Sequence, residues 1–243
     1  MRRGRLYCGL IALLVALAGC SSKEEQPMDI PYPDSFGKYV SGTLPYRMKK
    51  ITASDGTKPM LVMYLHGGSS KGNDNETQMK EAAVNVIANY LTDNAIPSIF
   101  IVPQCPSSGS WGAKMNVTLA SLIGEYESGC DGVYVLGGSM GGTGTWSLAD
   151  TYPEKFRGIM PVAGKPGTAS AVHFKSMRVC TVMSESDEVM KTAYEDVKAF
   201  CEEINAAGGN TNCTIVQASE QWSHATTCEQ SYTAERLRWL FER

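Results

Sequence analysis

Ser139 sits in Gly137-Gly138-Ser139-Met140-Gly141, a G-x-S-x-G pattern between the apolar run at residues 133–136 and a helix-like segment at 141–152. A serine presented at a sharp strand-to-helix turn adopts a strained backbone. Its neighbours two positions away then crowd each other, so both need to be glycine. The helix that follows offers free N–H groups and a partial positive charge to a developing oxyanion. That makes Ser139 a candidate nucleophile. The pattern also fits an ordinary glycine-rich turn, so the remaining members of a catalytic set decide between the two.

A serine hydroxyl needs a base, and histidine suits that role near neutral pH. The chain has three histidines. His66 opens a glycine loop after residues 60–65, and its side chain is expected to brace that loop. His173 precedes the strand predicted at 179–183, on the wrong side for a site at the strands' carboxyl ends. His224 follows the last predicted strand and is the expected base. The acid that orients it is expected at Asp187, four residues past Met183, with Glu185 and Glu188 as neighbours able to substitute. Such an acid holds the imidazole in the right tautomer and stabilises the imidazolium. An oxyanion hole needs two N–H donors. One is expected at Met140, directly after the nucleophile, and the other at Gly68 in His66-Gly67-Gly68, with Ser69 next in line.

These residues need a frame. Strands are predicted at 44–51, 60–65, 98–102, 133–136, 158–162, 179–183 and 214–218, and helices at 79–91, 117–126, 141–152, 193–207 and 229–241. Strands that alternate with helices of ten or more residues indicate β-α-β units and a mostly parallel sheet. Short, continuously apolar strands suit a sheet covered on both faces. Such sheets bind their ligands at the carboxyl ends of the strands. Polar and glycine residues follow five of the predicted strands, in the order nucleophile, acid, histidine.

Composition narrows the class. The chain has 243 residues, 43 % hydrophobic and 19 % charged, which fits one globular domain. Net charge is −3 with no basic cluster in the body of the chain, so nucleic acid is not an expected partner. The N-terminus differs. Met1-Arg2-Arg3-Gly4-Arg5 is basic, residues 6–18 are apolar but short for a membrane span, and Leu17-Ala18-Gly19-Cys20 follows. This resembles a bacterial lipobox. The resemblance implies a signal peptide at 1–19, lipidation of Cys20, and a membrane-anchored lipoprotein, periplasmic or on the cell surface. Residues 20–40 are expected to be a polar, flexible tether and 41–243 the folded domain. Six of the eight cysteines lie beyond Cys20, and export makes one to three disulfides an expectation. No cysteine spacing suits zinc, and no metal or cofactor is expected.

The segments Y-L-H-G-G-S-S-K-G-N-D-N, I-V-P-Q-C-P with Trp111 downstream, V-L-G-G-S-M-G-G-T-G-T-W-S-L-A-D-T-Y-P-E-K-F followed by P-V-A-G, and the closing R-L-R-W-L-F-E-R resemble the α/β-hydrolase superfamily. They are similar in particular to its small serine hydrolases of the peptidase, carboxylesterase and dienelactone-hydrolase-like group. The similarity runs from about Leu44 to Arg243. It implies an α/β-hydrolase fold with about eight strands in a mostly parallel sheet, helices on both faces, and Ser139, Asp187 and His224 as the triad. The chain departs from the group where the acid stretch reads V-M-S-E-S-D-E-V-M, and where Gln221-Trp222-Ser223 replaces the usual glycine before the histidine.

Only 47 residues separate Ser139 from Asp187, too few for a large lid domain. An open site is expected, suited to small-molecule or polymer-linked esters, with Trp111, Met140 and Trp222 as candidate walls. The first expectation is a carboxylic ester hydrolase working without a cofactor. A serine peptidase of the same fold and an inactive binding lipoprotein are the alternatives.

Overall fold

A computed structural model describes residues 35–242. The expected signal peptide and the lipidation site at Cys20 lie outside the described residues. The described residues form eight strands: β1 (Gly37–Ser41), β2 (Leu44–Ile51), β3 (Met60–Leu65), β4 (Ser98–Pro103), β5 (Val133–Gly138), β6 (Phe156–Val162), β7 (Arg178–Ser184) and β8 (Asn210–Val216). They join in one sheet of order β1-β2-β4-β3-β5-β6-β7-β8. The β1–β2 and β2–β4 pairs are antiparallel, and the remaining pairs are parallel.

Six α-helices cover the sheet: α1 (Ala82–Asp93), α2 (Ala113–Gly124), α3 (Met140–Thr151), α4 (Ala193–Ala206), α5 (His224–Gln230) and α6 (Ala234–Phe241). Alternate residues of the central strands feed two cores. Leu61, Met63 and Leu65 of β3 pack with Leu119, Trp146 and Val197 from α2, α3 and α4. Met60, Val62 and Tyr64 pack with Val84 and Leu237 from α1 and α6. Because both faces are buried, every residue of β3 is apolar and the strand shows no alternation. No lid domain interrupts the alternation of strands and helices among the described residues.

Three elements differ from the sequence expectation. β1 falls inside the stretch expected as a tether; its exposed pattern on an edge strand carries little apolar signal. The last strand runs over Asn210–Val216, starting four residues before the predicted one and overlapping it at 214–216, because it is only half-buried at the sheet edge and its polar residues read as loop. The predicted closing helix is two, α5 and α6, each begun by its own cap: the Ser223 and Thr233 hydroxyls accept from Thr226 and Arg236 N–H.

The expected disulfides are not formed. All six cysteines among the described residues are free. Cys105 and Cys180 lie in opposite cores, packed as small apolar groups.

One crowded junction sets the site. β3, β5 and β6 run side by side, with Leu65 opposite Gly137 and Gly138 opposite Val162. α3 starts directly over these strand ends. A Cβ at Gly141 would stand 1.7 Å from the Leu65 carbonyl oxygen, and one at Gly137 would stand 2.4 Å from the Gly141 carbonyl oxygen. Backbone meets backbone there, and neither partner can yield. Gly141→Ala is expected to cost about 3 kcal/mol or more through overpacking. Thermal denaturation should show a melting temperature lowered by on the order of 10 °C; an unchanged value would contradict this junction.

Candidate active site

Ser139 is the residue between β5 and α3, and its backbone is left-handed, with φ 57° and ψ −117°. Such a conformation is costly for a residue with a side chain. It is held by the Ser139 N–H bond to the Val162 carbonyl at 3.0 Å and by the Thr143 N–H bond to the Ser139 carbonyl at 3.0 Å. The turn lifts the hydroxyl off the sheet's carboxyl edge.

The Ser139 Oγ–H donates to His224 Nε2 at 2.7 Å. His224 Nδ1–H donates to Asp187 Oδ2 at 2.8 Å and lies 3.0 Å from Oδ1. Asp187 is only 2 % exposed. Its Oδ1 also accepts from the Val189 and Met190 N–H groups at 2.9 and 2.7 Å. The carboxylate is thus fixed by its own loop before it meets the imidazole.

The two acids named as substitutes for Asp187 are occupied elsewhere. Glu188 accepts the His224 backbone N–H at 3.0 Å, and Glu185 accepts the Ala218 N–H at 2.8 Å. Together with the Ser184 hydroxyl, which donates to the Trp222 carbonyl at 2.7 Å, they tie the loop after β7 to the loop after β8. Gln221 supplies the left-handed turn in that second loop, at φ 54°. It does so in the stretch that lacks the glycine. His224 then becomes the first residue of α5, rather than a loop residue.

The loop after β3 faces Ser139 from the other side. A Cβ at Gly67 would lie 3.7 Å from Ser139 Cβ. His66 is fully buried and braces the loop, as its position in the sequence suggests. Its Nδ1–H donates to the Gly67 carbonyl at 2.6 Å, and its Nε2 accepts the Cys105 N–H at 2.9 Å. Trp111, one of the expected walls, is buried instead and donates its indole N–H to the His66 carbonyl at 2.9 Å. The I-V-P-Q-C-P segment is therefore a support for the glycine loop. Gln104 completes it, accepting the Asn75 N–H at 2.6 Å and donating to Asp74 at 2.7 Å.

Gly68 and Met140 stand on the two sides of Ser139. Neither backbone N–H has a protein acceptor among the described residues. Met140 N–H is the first of α3, where helix amides are left unpaired and the helix dipole is positive. His173 takes no part; it is exposed and pairs with Asp150 at 2.8 Å. Among the described residues no three His, Cys, Asp or Glu side chains converge as metal ligands would.

Ser139 and His224 open into a cleft of about 680 Å³. Tyr64, Ala82, Ala83, Val189, Ala225 and Cys228 line it, with Lys80 at the exposed rim. Sequence reasoning missed this lining, and it missed Glu81, whose carboxylate lies under the glycine loop. Glu81 falls inside the helix predicted at 79–91 and has no motif around it; only in the structure does it stand between a 3-10 turn and the start of α1.

No protein-family model matches the chain, and no curated protein does. Solved structures do. A thermostable esterase superposes with a TM-score of 0.77 at 24 % identity, over 87 % of this chain; the chain spans 64 % of that esterase's length. Est1E from Butyrivibrio proteoclasticus, solved with ferulic acid bound, superposes at 0.61 and 11 % identity, over 84 % of this chain and 98 % of its own. A feruloyl esterase module from Clostridium thermocellum, complexed with sinapinate, superposes at 0.61 and 13 % identity, over 85 % and 87 %. The chain has the α/β-hydrolase fold.

Burial lowers the His66 pKa from the ordinary 6.5 to about 4, with a smaller push from Lys71, against a raising contribution from the Gly67 carbonyl. The folded imidazole therefore stays neutral down to about pH 4, while the unfolded one takes its proton near 6.5. The unfolded chain binds more protons in that window, so this group lowers stability as pH falls through it. In ¹⁵N-resolved NMR of the imidazoles, His66 should hold the Nδ1–H tautomer from pH 7 down to pH 5. A His66 midpoint near 6.5 would contradict the bracing role.

Proposed function

We propose that the protein is a serine hydrolase of carboxylic esters working through an acyl-enzyme on Ser139. The observation that carries the reading is the hydrogen-bonded row Ser139–His224–Asp187 opening into the cleft. Ser139 Oγ attacks the ester carbonyl while His224 Nε2 takes its proton. The oxyanion is met by the Met140 and Gly68 N–H groups, and Asp187 stabilises the imidazolium. His224 then returns the proton to the leaving alcohol. Water, deprotonated by the same imidazole, attacks the acyl-enzyme and releases the acid and the serine.

The cleft supports a substrate class. It is open, and apart from Tyr64 its apolar walls are short side chains, which suits compact acyl groups on soluble or polymer-linked alcohols better than long lipid chains. Two of the structural neighbours were solved with ferulic acid or sinapinate. Aromatic acids of that size belong within the proposed range. We also propose that export and lipidation at Cys20 anchor the domain to a bacterial membrane, in the periplasm or at the cell surface, where acyl groups on polysaccharides are accessible. That reading rests on the residues before Cys20.

A fluorophosphonate probe on the chain from residue 20 onward should label Ser139 at neutral pH. Turnover of p-nitrophenyl acetate and butyrate should exceed that of octanoate, and Ser139→Ala should lose about 10⁴-fold or more in kcat. Turnover of peptides without esters would favour the peptidase, and no labelling would favour a binding protein. For the anchor, the mass of the protein extracted from membranes should show residues 1–19 removed and acyl chains on Cys20; an unmodified N-terminus would exclude it.

A further inference from the structure

Glu81 is the residue directly before α1, where an acidic side chain ordinarily caps its own helix. It makes no such cap. Its carboxylate turns back under the glycine loop instead. Oε1 accepts the Gly67 N–H and the Ser70 hydroxyl, each at 2.7 Å, and Oε2 accepts the Tyr64 hydroxyl at 2.7 Å. The Tyr64 ring is buried edge-on against Tyr232 at 5.8 Å, so the far end of this clamp is rigid. Burial raises the carboxyl's pKa, and the three donors oppose that by favouring the charged form.

The clamp fixes a direction. The Gly67 N–H is held by Glu81, and the Gly67 carbonyl is held by the His66 Nδ1–H at 2.6 Å. A trans peptide is planar, with its C=O and N–H pointing opposite ways. Pinning the Gly67 carbonyl toward His66 therefore turns the Gly68 N–H away from His66. That amide has no acceptor among the described residues, and Gly68 lines the same cleft as Ser139. With both ends of Gly67 fixed, the loop cannot swing its donor aside.

We infer that Glu81 is a positioning residue of the hydrolytic site, whose carboxylate holds the loop so that the Gly68 N–H meets the oxyanion formed on Ser139. The inference rests on the reading of Ser139 as the nucleophile. Glu81 itself touches no reacting atom. Its chemistry is that of an acceptor, so a neutral amide in its place keeps the two bonds to Gly67 and Ser70, and the Tyr64 hydroxyl can turn to accept from the new NH₂ group.

The test compares Glu81→Ala and Glu81→Gln with wild type on p-nitrophenyl acetate, with a trifluoromethyl ketone as mimic of the tetrahedral state. Glu81→Ala should lose about 10²-fold in kcat, the effect of losing one oxyanion donor, with KM little changed. Its affinity for the ketone should fall in step with kcat/KM. Glu81→Gln should stay within about tenfold of wild type. Should the alanine variant not fold, Glu81→Gln is paired with Glu81→Met, which fills the space without an acceptor and should lose as much as alanine. An active wild type beside an equally active Glu81→Ala or Glu81→Met would overturn the positioning role alone. So would a loss confined to KM. A wild type inert to esters and to the probe would overturn the hydrolase reading and the positioning role with it.

Discussion

The site depends on one steric constraint, the absence of space between the start of α3 and the ends of β3 and β6. Gly141 lies so close to the Leu65 carbonyl that no side chain fits. This contact presses the first turn of α3 onto the sheet and leaves Ser139 to absorb the change of direction in a left-handed conformation. Strain of this kind persists only where the surroundings over-determine it. Here two parallel ladders and the helix do so together. The hydroxyl opens into the cleft, and Met140 begins α3 directly beside it.

Around that fixed point the loops divide the work. The loop after β7 contributes three acids with three separate tasks: Asp187 receives the imidazole N–H, Glu188 the backbone of the same histidine, and Glu185 the backbone of the loop after β8. His224 is held by its ring and by its main chain at once. The loop after β3 is held in a comparable way, by a neutral histidine on one side and a carboxylate on the other. The two systems meet at Ser139. Each positions groups by hydrogen bonds from loops anchored in a rigid sheet, which is how a pre-organised site avoids reorganisation during reaction.

Much of this was legible in the sequence. Continuous apolar runs marked the central strands, because strands buried on both faces carry few polar residues. The glycine spacing around Ser139 and the placement of His224 and Asp187 after later strands followed from the fold's polarity. What was hidden falls into two physical kinds. β1 and β8 lie at sheet edges, where half-exposed residues dilute the apolar pattern. Glu81 and Trp111 act through contacts 14 and 45 residues away, to Gly67 and His66, and no local pattern encodes such a partner. The cysteines misled for a related reason. Their number suggested cross-links, whereas all six are thiols, including Cys201 and Cys213, which touch each other between α4 and β8.

The central claim is that the chain holds a nucleophile, its base and two oxyanion donors in place before substrate arrives. A crystal structure of the protein after reaction with a phosphonate ester tests it most directly. The account predicts a covalent bond from Ser139 Oγ to phosphorus, with one phosphoryl oxygen about 2.7–3.1 Å from both the Met140 and Gly68 nitrogens and the loops unmoved. A phosphoryl oxygen turned to solvent, or a glycine loop rebuilt to reach it, would contradict it.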